Sequence, residues 1–577
     1  MSLFQLRMQW QHLKRSEKPA SMKIAYLSTF TIHPLEPYLG VALAQEGHMS
    51  DGLISPYNQI VQECLTDDSL TARFQPDVLV VWPTLDDLWT GKPRPLTVES
   101  GEGLIEEALE LADATLEASR RWGAQLVFVL PAVSEQRPLG AGDASNVAGV
   151  FSVSTAVREA LRRRLARKLG VLVVDSEEVI RDLGYAHSYN ERMQYLARIP
   201  YTEEAFHAIG SKIARLVLMS RTAPRKLLVL DADHTLWGGV VGEDGVEGLD
   251  LADNGKGEAF KAFQSYLLEI RRSGVLLAVC SKNNEQDVWA VFEQRREMRL
   301  KKEHLAAWRI NWQPKSENIR QIAEELGLGL DSIVFIDDNP MEIAEVQQSL
   351  PEVACIQMPA DPATAIRIVQ ASGALDRLPP TIEDLGRADY YKQEQERKMA
   401  ASALPVSPEA YRAGLNIAVR TFAPLAADMA RLTQLVNKTN QFNLNCRRRT
   451  EAELAALVKD PSYIVLLAEC SDRYGDYGTV GAMIAKLEGG KGELDTFVLS
   501  CRALGRGVEE AMLVGLLERA AEQGVMRLKA IVEEHPRNEP ARAFFATMGC
   551  PVAGEAGVIE GVCWPAYIAR MTEVMVS

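Results

Sequence analysis

The chain has 577 residues, enough for about three or four domains. Apolar residues make up 47% and charged residues 24%, an ordinary balance that excludes a fibrous or disordered chain. With 78 acidic against 63 basic residues the net charge is -15, which opposes non-specific nucleic-acid binding, and no apolar run approaches the roughly 20 residues of a membrane span.

The first 221 residues read as an α/β domain. Lys23–Ser28, Val78–Trp82, Gln125–Leu130 and Val171–Asp175 are short apolar runs separated by helical patterns, as expected of buried parallel strands in a doubly wound sheet. This segment resembles the SGNH-hydrolase-like domain. The hydrolase Gly-Asp-Ser is replaced by Leu27-Ser28-Thr29-Phe30-Thr31, and no Asp-x-x-His stands near the domain's end. Ser28 and Asn58 read as remnants of an oxyanion site, and His207 falls in a helical pattern as a structural residue. Docking or scaffold work is expected here rather than esterase activity.

Residues 222–378 hold four apolar runs that each stop at a polar cluster. The first, Leu227-Leu-Val-Leu-Asp231-Ala-Asp233-His-Thr235, sets two carboxylates and a threonine at a strand end. The second ends at Cys280-Ser281-Lys282-Asn283-Asn284, the third places Lys315 before a helical pattern, and the fourth ends at Asp337-Asp338-Asn339-Pro340. Ligands gather at the carboxyl ends of such strands. Carboxylates suit a hard cation, hydroxyls and amides a phosphoryl oxygen, and an ammonium the phosphate charge.

These motifs in this order resemble the haloacid dehalogenase (HAD) superfamily over roughly residues 225–375. The resemblance implies Asp231 as nucleophile and Asp233 as general acid/base, with Mg²⁺ held by Asp231, Asp233 (through its backbone carbonyl), Asp337 and Asp338. It also implies that Thr235, Ser281, Lys282 and Lys315 bind phosphate. The surrounding words Asp231-Ala-Asp-His-Thr-Leu-Trp-Gly-Gly and Cys280-Ser-Lys-Asn-Asn look like the FkbH-like branch, with Ala232 and His234 where leucine and asparagine are common. That branch implies transfer of a glyceryl group from 1,3-bisphosphoglycerate to the thiol of a holo-acyl carrier protein, with dephosphorylation, for polyketide-type biosynthesis.

In such a reaction Cys280 carries the acyl group. Read by itself, Cys280 is either a thiolate at a strand tip or a small buried hydrophobe. Spacing bears on substrate size: 49 residues separate Asp231 from Ser281 and 33 separate Ser281 from Lys315, too few for a folded cap domain. An uncapped cleft admits a carrier protein's pantetheine arm. Arg295, Arg296, Arg299, Lys301 and Lys302 form a candidate basic patch for an acidic carrier, set against the plainer reading of a solvated helix face. Trp237 reads either as a wall of the cleft or as packing.

Residues 379–412 read as a polar helical linker. In 413–577, strands are expected at 417–420, 463–467, 480–484 and 494–499. Arg502-Ala-Leu-Gly505-Arg-Gly507 then stands between a strand and a helix, where free N–H groups suit a pyrophosphate. With Asn538, Ala541, Phe544, Phe545 and Gly549 downstream, this segment resembles the GCN5-related N-acetyltransferases (GNAT), an α+β fold, and implies CoA or phosphopantetheine binding at Arg502, Gly505 and Gly507.

Eight cysteines without CxxC pairing predict reduced thiols, and no signal-peptide pattern opens the chain, so a cytoplasmic location is expected. The histidines show no zinc grouping. The expected protein is an α/β enzyme with a HAD-type core lacking a large cap, flanked by SGNH-like and GNAT-like domains. A plain phosphatase on a small phosphorylated metabolite is the alternative.

Overall fold

The computed structural model describes residues 2–15, 19–89, 98–134, 136–166, 168, 170–222, 224–253, 255–380, 385–386, 417–439, 442–473, 475–500, 503–505, 507–525, 528–531, 538–547 and 558–559. These fall into two compact units, Met1–Arg221 with Arg449–Lys459, and Thr222–Arg448 with Asp460–Ser577. Helix Glu451–Lys459 therefore packs with the first unit, where Gly170 N donates to Glu451 Oε2 at 3.1 Å. Nothing in its sequence foretells that.

In the first unit, β1 (Met22–Ser28), β2 (Ser50–Ile54), β3 (Val78–Trp82), β4 (Gln125–Leu130) and β5 (Val171–Asp175) form a parallel sheet in the order β2-β1-β3-β4-β5. Alternate residues face opposite layers, so Ala25, Leu27, Leu79, Val81, Leu126 and Phe128 bury against helices Val98–Trp122 and Val150–Leu165. Helix Leu35–Gln45 packs against helix Glu203–Arg221. Gly210 makes that approach possible, since a Cβ there would stand 3.1 Å from Leu39 N. The expected strands are all present. β2 was not expected, because Ser-Asp-Gly gives it neither an apolar run nor a clean alternation.

The second unit contains two sheets. β6 (Leu227–Leu230), β7 (Leu276–Ser281), β8 (Leu305–Ile310), β9 (Ile333–Asp337) and β10 (Ala354–Gln357) run parallel in the order β10-β9-β6-β7-β8. Leu228, Leu230, Leu277 and Val279 pack with Phe260, Phe263 and Leu267 of helix Gly255–Arg272. On the opposite face Leu227, Val229, Ala278 and Phe335 pack with Ile319 and Ile322 of helix Lys315–Leu326. β6 is central, flanked by β7 and β9, and this order brings three of the four motifs to adjacent strand ends. Among the described residues, only helices Val241–Gly248 and Gly255–Arg272 lie between β6 and β7, with no cap domain.

The second sheet is mixed: β11 (Ala418–Phe422), β12 (Phe442–Asn443), β13 (Tyr463–Asp472), β14 (Gly475–Glu488), β15 (Lys491–Leu499), β16 (Leu528–Ile531) and β17 (Val558–Ile559). Its path is β11-β13-β14-β15-β16-β17, with β12 pairing β15 and only β15–β16 parallel. This is the α+β layout expected, with strands longer than their apolar runs because β13 and β14 extend into polar residues around their connecting turn. Arg502 and Gly549 lie outside the described residues, as does nearly all of the expected linker at 379–412. Among the described residues, no helix is long and apolar enough to cross a membrane.

Candidate active site

Asp231 follows β6 directly, and its N–H donates to the Ile336 carbonyl of β9 at 3.0 Å, which keeps it in register with Asp337. Lys315 is the first residue of helix Lys315–Leu326, and its ammonium lies between them, 2.8 Å from Asp231 Oδ1 and 2.5 Å from Asp337 Oδ2. All three side chains are buried. Burial would lower the Lys315 pKa, but the charges of Asp231 and Asp337 outweigh it and hold the ammonium above its ordinary value. Burial, then the charge of Asp231, pushes Asp337 up to about 6 against the pull of Lys315. The two acids and one base form a coupled group.

Asp338 completes a cluster in which one oxygen from each of Asp231, Asp337 and Asp338 lies within 4.8 Å of the others. Three carboxylates face a single ammonium, so the site carries excess negative charge on oxygen ligands. That donor set fits a hard divalent cation such as Mg²⁺.

Asp233 is separate from this cluster. Its Oδ1 accepts from Trp237 Nε1 at 2.8 Å and from Val241 N at 3.1 Å, while Oδ2 accepts from Asn283 Nδ2 at 2.9 Å. Its carboxylate is thus aimed by three neutral donors. Asn283 also donates to Ser281 Oγ at 3.0 Å, which ties the second motif to the first. Trp237 is fully buried and positions Asp233, a role the sequence left undecided. Thr235 is buried, and its hydroxyl has no hydrogen-bond partner among the described residues, as a side chain awaiting a polar group would be. His234 has φ 52, in the left-handed region that asparagine and histidine enter more readily than most residues. Histidine at this position therefore respects the backbone.

Two of the expected site residues stand away from the carboxylate cluster. Cys280 is fully buried on the face of β7 that packs against helix Lys315–Leu326, in one core with Ala278 and Ile319. Its Sγ lies 3.9 Å from the Lys315 carbonyl, and burial pushes the thiol up to about 12 despite the opposing Lys315 charge. Lys282 is the second: its ammonium is paired with Glu342 at 2.6 Å, joining the loop after β7 to helix Pro340–Ser349.

Of the candidate basic patch, Arg296, Arg299 and Lys302 are exposed, Lys301 is half-buried and Arg295 is buried. The helix ends at Gln294, and Arg295 is buried, donating to the carbonyls of Val246 at 2.8 Å and Leu249 at 3.2 Å. Lys302 lies over the Trp289 and Trp308 rings at 4.3 and 4.9 Å. Both act in local packing.

In the mixed sheet, Gly505 and Gly507 have φ +70 and +83 before helix Val508–Glu522. Gly505 N donates to Glu509 Oε1 at 2.7 Å. An incoming diphosphate would have to displace that carboxylate. In the first unit, Ser28 Oγ accepts from Phe30 N at 3.0 Å and donates to the Phe30 carbonyl. Asn58 has φ 54, its N–H donating to the Ser28 carbonyl at 3.2 Å. His207 packs edge-on against Tyr38 at 5.6 Å, and burial lowers its pKa.

No protein-family model and no curated protein matches the chain. Among solved structures, the N-terminal part of a Bacteroides fragilis protein, containing a phosphatase domain and complexed with Mg, is 23% identical with a TM-score of 0.58. The match covers 66% of this chain and 99% of that one. The two share a fold. The ribosomal-protein-S18-alanine N-acetyltransferase of Escherichia coli is 14% identical over 24% of this chain and 80% of its own, with a TM-score of 0.20.

Proposed function

We propose that residues 222–378 form a Mg²⁺-dependent phosphatase that works through an aspartyl phosphate. The observation that carries this reading is the buried Asp231–Lys315–Asp337 group, with Asp338 beside it and Asp233 held apart by neutral donors. Asp231 attacks phosphorus, and the bond to the leaving oxygen breaks as that oxygen takes a proton from Asp233. Water then attacks the aspartyl phosphate and gives its proton back to Asp233, releasing phosphate and restoring Asp231. Lys315, Thr235 and Ser281 bind the phosphoryl oxygens. Asp231, Asp337, Asp338 and the Asp233 carbonyl would hold a divalent cation, which would supply charge neutralisation at the phosphoryl group. The B. fragilis relative of this fold was solved with Mg, which supports the choice of ion.

The finer reading is that the substrate is 1,3-bisphosphoglycerate and the product a glyceryl thioester on an acyl carrier protein. It rests on the FkbH-like resemblance and on the uncapped cleft between β6 and β7. With Cys280 in the core, the carrier's own thiolate is the acyl acceptor: it attacks the acyl carbon, the acyl–phosphate bond breaks and phosphate leaves. The remaining phosphate ester is then hydrolysed at Asp231. CoA or the carrier's phosphopantetheine at Gly505 and Gly507 of the GNAT-like domain belongs to this reading.

Incubation with Mg²⁺, 1,3-bisphosphoglycerate and a holo-carrier protein tests both levels. Phosphate release abolished by Asp231→Asn, or its persistence in that variant, decides the first. A glyceryl adduct on the carrier by intact mass supports the second, and phosphate without an adduct leaves the plain phosphatase.

A further inference from the structure

Among the described residues of 222–378, three large apolar side chains are exposed: Trp312, Met341 and Ile368. Two of them flank the phosphoryl-transfer site, on β8 and β9, which lie to either side of the β6–β7 pair. Trp312, 70% exposed, follows the end of β8 and stands shortly before Lys315. Met341, 74% exposed, is the second residue of helix Pro340–Ser349, which begins directly after Asp337, Asp338 and Asn339. Single exposed apolar residues are ordinary, but two at one sheet edge, rimmed by polar groups, mark a place where a ligand is held.

Both are tied to the loop after β7, which carries Asn283 beside Ser281. Trp312 Nε1 donates to Asn284 Oδ1 at 3.4 Å, and Glu342, next to Met341, accepts from Lys282 Nζ at 2.6 Å. The backbone under each exposed side chain is pinned. Asn311 N donates to the Ser281 carbonyl at 3.1 Å, and Asn311 Oδ1 accepts from Gln313 N and Asn318 Nδ2, each at 2.9 Å. Asn339 Oδ1 accepts from Met341 N at 2.9 Å and fixes the start of that helix. Groups preset on a rigid rim lose little freedom when a ligand arrives.

With no cap domain between β6 and β7 among the described residues, the part of a substrate beyond its phosphoryl group meets this rim. Lys315, Thr235 and Ser281 serve the phosphoryl end, which leaves the indole and the thioether for the other. Neither carries charge, and an indole face covers a large apolar area at little cost in side-chain entropy. We propose that Trp312 and Met341 bind the leaving group, and that the site takes phosphate esters whose leaving group carries an apolar portion. The inference rests on the phosphatase reading and adds the substrate class to it.

Steady-state kinetics of the full chain with Mg²⁺ on 1-naphthyl phosphate and on acetyl phosphate tests it. Trp312→Ala is expected to lower the ratio of kcat/KM for the naphthyl ester over acetyl phosphate by about tenfold or more, with the change falling on KM for the naphthyl ester. Trp312→Phe, which keeps a ring, should recover most of that ratio, and Met341→Ala should lower it by about threefold. Both side chains are exposed, so these variants keep the fold. An unchanged ratio in Trp312→Ala, whether neither substrate is affected or both fall together, or a loss expressed in kcat alone, would overturn the inference. Phosphate release from neither substrate by the parent chain would remove the phosphatase reading itself, and this inference with it.

Discussion

Two five-stranded parallel sheets in one chain make a controlled comparison. In both, the central strands are near-continuous apolar runs buried on two faces, and in both the carboxyl edge is where chemistry could sit. At the edge of β6, β7 and β9 stand Asp231, Ser281 and Asp337, and the two aspartates converge on Lys315. At the edge of β1, β3 and β4 stand Ser28, bound to its own turn, then Trp82 in an aromatic stack, and Leu130 in the core. The architecture supplies an edge; reactivity depends on whether buried charges meet there without satisfying one another.

Removing the nucleophile should separate the two edges most sharply. Asp231→Asn is expected to lower phosphate release by about a thousandfold or more, since a carboxamide cannot form the covalent intermediate. A loss below about tenfold in steady-state kinetics would break the assignment. Lys315→Met comes next. It leaves Asp231 and Asp337 facing each other uncompensated, at a cost of about 3–5 kcal/mol in denaturant unfolding, with part regained on adding Mg²⁺. A variant as stable as the parent would mean that the group is not electrostatically coupled.

Cys280→Ala should cost only about 1–2 kcal/mol and leave phosphate release within about twofold, as expected of a core residue. The raised thiol pKa has a defined sign. The native state keeps the proton between about 9 and 12 where the unfolded chain loses it, so this contribution is whole below about 9 and fades as pH rises towards 12. At pH 8, peptide mapping after iodoacetamide should find Cys280 unmodified in the native protein. Rapid alkylation there would restore the acyl-carrying role. The smallest effect is expected at the other edge: Ser28→Ala should cost about 0.5–1.5 kcal/mol for one hydrogen-bonded hydroxyl and leave phosphate release unchanged. An ester-hydrolysis burst lost in that variant would erase the contrast.

How much of this was legible follows from the range of each interaction. Asp231, Ser281, Lys315 and Asp337 could be read because each ends an apolar run or begins a helix, and local patterns record such ends. Their convergence needed the strand order, with β6 between β7 and β9. Cys280 was not decidable, because a strand buried on both faces is apolar at every position and its alternation does not say which face opens on the cleft. The partners of Lys282 and Arg295, namely Glu342 and the carbonyls near Val246, lie 60 and 49 residues away in the chain. The work of Asn283 and Trp237 on Asp233 was closer to hand: both sit inside recognised motifs, and each carries a donor that a buried strand end has to satisfy.

The most direct measurement is to trap the covalent state. The full chain, incubated with Mg²⁺ and acetyl phosphate, quenched in acid and mapped by peptide mass spectrometry, should carry a phosphoryl group on Asp231 and none in Asp231→Asn. Turnover with the phosphoryl group on another residue, or with no phosphoenzyme at all, would contradict the account.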